Sequence, residues 1–168
     1  MSTLNNPNVV SATSDRGRTV RQRVVDALKA KLVAMTDGGE PVWRQVLFGE
    51  LDDITNERLP VVSIDFGTEQ KLNENFPVVD YSLPVFFTFK YRGQRGLDEH
   101  DVYQYYLGLL QFALLGDHNL DGLALNVEED SNSHTIIGIN DPSPGGVLST
   151  SVLYRTRLHN PYKLKHET

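Results

Sequence analysis

The sequence predicts an α+β fold: a mainly antiparallel sheet of about six strands with two helices packed on one face, in the order α-β-β-β-α-β-β-β. Three observations predict it. Two segments repeat apolar residues at helical spacing, and the runs between and after them alternate with a period of two. The connections between those runs are hairpin-like and show no regular β-α alternation, which favours antiparallel pairing. A chain of 168 residues has the size of one domain, burying roughly 70% of its unfolded surface. Residues 16–158 are expected to form that domain. Residues 1–15, rich in Ser, Thr and Asn without periodicity, read as a mobile arm, and 159–168 as a C-terminal tail of the same kind.

The first helix is read from Gly17 onward. Val20, Val24, Leu28, Leu32 and Met35 recur at helical spacing, and Gly38-Gly39 is its expected stop. Arg21 falls inside that apolar stripe. Either its stem lies along apolar surface with the head in water, or it pairs with a carboxylate of its own subunit or a neighbour.

Two strand candidates follow, PVWRQVLF (41–48) and RLPVVSIDFG (58–67), joined by the polar GELDDITNE. The clearest strand is VDYSLPVFFTFKYRG. Tyr81, Leu83, Val85, Phe87, Phe89 and Tyr91 take one face, and Ser82, Pro84, Thr88 and Lys90 the other. Pro84 cannot donate to a ladder, so a bulge or a sheet edge is expected there. An exposed edge invites a partner strand.

The second helix is expected to start at Asp98, a plausible N-cap, with Glu99 and Asp101 suiting the positive end of its dipole. Its body is apolar around most of its circumference, leaving only the Gln104, Gly108 and Gln111 line polar or small. Such a helix is covered on more than one side. The cover comes from the chain's own sheet and first helix, or in part from a second subunit.

Gly116 ends this helix and opens the stretch GDHNLDGLALNVEED. Asp117, Asn119, Asp121 and Glu128 stand at the spacing D-x-N-x-D-G-x5-E of an EF-hand calcium loop. What leaves the loop argues against calcium. LALNV alternates, and NDPSPGG follows with two prolines and paired glycines, so no exiting helix fits. If 123–128 are extended at ~3.3 Å per residue, Glu128 ends some 20 Å from Asp121 and cannot close the shell. DHNLDG therefore reads as a polar turn, no cofactor is expected, and a calcium-dependent binding module stands as the rival reading.

Glu128, Glu129, Asp130 and Asn132 are expected at the tip of a β-hairpin. The five histidines show no metal-ligand spacing, and there is no nucleophile elbow, Walker loop or dinucleotide fingerprint. Catalytic apparatus is not visible, so the chain does not read as an enzyme. A net charge of -6 disfavours broad binding to nucleic acid or anionic membranes. The absence of cysteine excludes disulfides and thiolate metal sites. No run approaches the ~20 apolar residues that span a bilayer, and MSTLNNPNVVSATSD lacks the pattern of a signal peptide.

The order of elements, the RLPVVSIDFG strand, the aromatic VDYSLPVFFTFKY strand leading to an acidic helix start, and the closing VLYRTRLHNPY resemble the tail-terminator (tail-completion) proteins of long-tailed bacteriophages. The likeness spans about residues 18–162. It implies a virion structural protein at the head-proximal end of the tail, assembled in the host cytoplasm as a homo-hexameric ring on the tail tube protein. The ring would end tube polymerisation and face the head-to-tail connector protein, and a sheath protein as well where the tail is contractile. DNA would meet it only in passage through the bore, and the EED segment, if it lined that bore, would repel it. Arg21, Arg92, Arg95, Pro84 and Tyr103 are the candidate subunit-interface residues. Another tube or head-completion protein is the nearest alternative within this class.

Overall fold

The computed structural model describes residues 17–51, 56–93, 96–138 and 143–167. The expected arm at 1–15 lies outside them. Helix α1 spans Val20–Val33 and opens on a capping box. The Thr19 hydroxyl accepts from the Gln22 amide at 3.1 Å, while the Gln22 side chain accepts from the Thr19 amide at 2.8 Å. Thr19→Ala removes one half of this exchange and is expected to cost about 1 kcal/mol, read as a lower midpoint in thermal unfolding. The helix stops at Ala34. Gly38 and Gly39, both at positive φ, instead turn a small ribbon of β1 (Thr36–Asp37) and β2 (Glu40–Pro41).

The main sheet holds β3 (Gln45–Phe48), β4 (Val61–Phe66), β5 (Gln70–Asn75), β6 (Val78–Lys90), β7 (Asn126–Ile137) and β8 (Gly145–Arg157). The strand order is β3-β4-β6-β8-β7, and β5 pairs with β6 beyond the end of β4. Among the described strands only β3 and β4 run parallel. The class is α+β as expected, with the second helix, α2 (Glu99–Leu115), between β6 and β7. The connectivity differs, since among the described residues four strands of this sheet precede α2 and two follow it. QKLNEN forms β5 without any apolar alternation, because it is held by the β6 backbone and exposed throughout. The two runs expected after Gly122 and after Asp130 are one strand, β7.

Pro84 needs neither bulge nor edge. Across β6 and β8 the register runs without interruption from Val78↔Arg157 to Lys90↔Gly145. On the other side of β6, β4 reaches only to Val85 and β5 begins at Ser82. The Pro84 carbonyl points to that side, accepting from Gly67 at 2.9 Å. In a strand the N–H of a residue points the same way as its carbonyl. The missing donor thus faces the seam between two partner strands, where no ladder bond is lost.

One face of the sheet carries both helices. Leu83, Val85, Phe87 and Phe89 are fully buried there, against Val24, Leu28 and Leu32 of α1 and Leu107, Leu110 and Leu114 of α2. The Trp43, Phe89, Tyr91, Tyr103 and Tyr106 rings pack with centroid separations of 5.1 to 6.4 Å. On the opposite face, a small cluster of Leu51, Leu59 and Val61 covers the β4 side. Ser82, Pro84, Phe86, Ser149, Ser151 and Leu153 remain half-exposed on that face.

The C-terminal segment was expected as a loose tail and is not one. The Val20 amide donates to the Pro161 carbonyl at 2.8 Å, Leu164 is buried, and Arg23 makes two hydrogen bonds to Glu167 at 3.2 and 3.0 Å. The guanidinium holds the Glu167 carboxyl below its ordinary value of 4.5, helped by the Leu164 amide. A carboxyl lowered on folding adds stability that is present above that ordinary value and lost as the pH falls through the folded one. Acidification below about pH 4.5 is therefore expected to undock this segment first. Hydrogen exchange checks it: the Leu164 amide should lose protection relative to β6, and equal protection of both at every pH would contradict the expectation.

Candidate functional site

The calcium-like stretch is a turn that serves the core. Leu120, Asp121 and Gly122 take positive φ, and this left-handed path drives Leu120 fully into the interior. The Asn119 carbonyl accepts from Gly122 at 3.0 Å and Ala124 at 2.9 Å, closing the turn. Asp117 faces Lys31 at 2.5 Å, and that hydrogen bond holds its carboxyl below the usual range. Glu128 lies on β7 opposite Ser151, so the chain is already extended at the twelfth loop position. Among the described residues no three of His, Cys, Asp and Glu converge as a metal cluster.

The acidic run is not a hairpin tip. Glu128 and Glu129 sit within the β7–β8 ladder, and the register jumps between Glu129 and His134 while the partner strand advances only from Thr150 to Leu148. Residues 130–133 are therefore a bulge in an edge strand, a common device for blunting an edge. β7 runs on to Ile137, well past the acidic run, before β8 begins at Gly145. Glu129 accepts from Gln111 at 2.5 Å and Asp130 from Ser151 at 2.7 Å, which tie the run to α2 and β8. The Asn132 side chain lies outside the described residues.

The interface candidates scatter. Arg21 is half-exposed and pairs with Glu69 of its own subunit at 3.5 Å. Glu69 also accepts from the Tyr154 hydroxyl, and burial followed by this bond pushes that phenol far above its ordinary value. Tyr103 is buried in its own core, its hydroxyl 3.1 Å from His134 Nδ1, so a neighbour cannot reach it. Arg92 is exposed just beyond β6, Pro84 lies on the half-exposed sheet face, and Arg95 is outside the described residues.

Two surfaces emerge that the candidate interface residues do not include. The first is the β5–β6 hairpin. All of β5 is exposed, Leu72 is 45% exposed at a bulge, and Phe76 at the tip is 89% exposed. The second lies on the helix layer. Phe112 is 83% exposed and continues the Gly108 line of α2, the line that reads as the polar side. It borders a groove of 330 Å³ that Lys31, Ala34, Met35, Val42 and Leu109 also line. Tyr105 stands nearby, its hydroxyl donating to Asp37 of the β1–β2 ribbon. Phe112 one turn after Gly108, and Phe76 between NEN and Pro77, were the available signals.

No protein-family model matches the chain, and no curated protein does.

Proposed function

We propose that this chain is a virion structural protein that closes into a ring on a phage tail tube, hexameric as in the family it resembles. The observation that carries this reading is the β5–β6 hairpin. A strand exposed along its whole length, with an apolar tip, contributes nothing to its own core. Such an element is suited to a neighbour. The second apolar surface, at Phe112, differs from the first, and a ring needs two different faces on each subunit.

The mechanism is steric capping by mass action. One rim of the ring copies enough of a tube subunit's surface to hold the last tube ring, and the other lacks the surface that recruits another. Growth stops, and the outer rim is left for the head connector. Glu128 is exposed on β7, and if that strand lines the bore its charge keeps passing DNA from adhering.

Electron microscopy of the purified protein mixed with tail tubes tests the reading. Single rings at one tube end are expected. Indefinite stacks would instead identify a tube protein, and a protein that stays monomeric and ignores tube ends would refute the proposal.

A further inference from the structure

We infer that neighbouring subunits join head to tail, the β5–β6 hairpin tip of one copy seating Phe76 in the groove between α1, the β1–β2 ribbon and α2 of the next. This rests on the ring reading and names its interface.

Placement comes first. The Leu158 amide donates to Pro77 at 2.8 Å and Val20 to Pro161 at 2.8 Å, which puts the hairpin tip at the N-terminal end of α1. The groove is lined by Lys31, Ala34 and Met35 at the other end of that helix. Fourteen residues of α-helix span about 21 Å. Knob and hole therefore lie at opposite ends of one subunit. Repeating that contact generates a heterologous chain of subunits, which closes as a ring when the rotation permits.

Size and charge agree. A cavity of about 150 Å³ holds a benzene ring, so a groove of 330 Å³ admits the Phe76 phenyl together with its backbone. At the hairpin end, Lys71 pairs with Glu74 and Arg155 with Asp80, leaving Arg157 as the balance. At the groove end, Lys31 pairs with Asp117, leaving Asp37 and Glu40. One end is net positive and the other net negative, which orients approach and disfavours groove meeting groove. Phe112 lines the groove and is exposed in the single subunit, so covering its ring would make it the kind of desolvated aromatic anchor that dominates an interface.

Light scattering and native mass spectrometry of the full chain test this with Phe76→Ser and Phe112→Gln. Both side chains are exposed, so each subunit should keep its native circular-dichroism spectrum, and Leu72→Ser provides a second hairpin variant. Each variant alone damages every contact in a ring, and association should weaken at least about thirtyfold. An equimolar mixture of F76S and F112Q retains one intact contact per pair, the hairpin of F112Q in the groove of F76S. It should form dimers and no rings. Wild-type-like rings from F76S and L72S, or a mixture as monomeric as its components, would overturn this interface while leaving the ring reading in place. A wild type that is monomeric at every concentration and leaves tube ends bare would overturn both.

Discussion

Phe89→Ala is expected to lower stability by about 4 kcal/mol, the middle of the range for truncating a buried aromatic. Phe89 is fully buried on the helix face of β6. Its ring contacts those of Trp43 at 6.2 Å, Tyr103 at 5.8 Å, Tyr91 at 6.4 Å and Tyr106 at 6.4 Å. These neighbours come from the segment before β3, from the residue just after β6 and from α2, so removing the central ring leaves a cavity that no single movement can fill. Transfer and cavity costs then add. Chemical denaturation with tryptophan fluorescence checks the value and reports locally, because Trp43 is the only tryptophan and stands against the deleted ring. A loss below about 1 kcal/mol would mean that the cluster collapses around the gap and is not the centre of the core.

Gly145→Ala is expected to be nearly as severe, at about 3 kcal/mol, by overpacking rather than by a void. A Cβ at Gly145 would stand 1.9 Å from the Phe89 carbonyl oxygen and 3.0 Å from the Lys90 Cα. Both are backbone of the paired strand, so only separation of β6 from β8 can relieve the clash. Gly146→Ala is the control. Its Cβ would meet the Tyr103 ring at 2.4 Å and the Phe89 ring at 2.9 Å, but also the Thr135 carbonyl at 2.9 Å. Two of these three neighbours are side chains. Placed in a Phe89→Ala background, Gly146→Ala should cost less than in the wild type, whereas Gly145→Ala should not. Equal costs in both backgrounds for both glycines would contradict the assignment of one clash to rings and the other to backbone.

These two glycines also show where sequence reading reached its limit. NDPSPGG, with its two prolines and paired glycines, shows only that no helix fits there, whereas Gly145 and Gly146 start β8 because only a residue without a side chain fits beside Phe89. Proline at 84 misled in the opposite sense. Its penalty depends on whether a partner strand lies on its N–H side, and that side is a seam between β4 and β5. Tyr103, a candidate interface residue, is core, whereas Phe112 of the same helix is exposed.

What the sequence determined by itself is whatever local periodicity encodes. Val20, Val24, Leu28 and Leu32 mark the buried stripe of α1. The alternation from Tyr81 to Tyr91 marks the helix face of β6, and Asp98 caps α2, accepting from the His100 amide at 2.9 Å. These follow from residue spacing on a 3.6-residue or a 2-residue repeat, which needs no knowledge of neighbours. Only the tertiary structure decided which strands flank β6, that QKLNEN is a strand, that Leu120 is core, and that Phe76 and Phe112 remain uncovered. Each of those depends on contacts between residues far apart in the chain, where hydrogen-bond partners and buried area are set by packing rather than by local pattern.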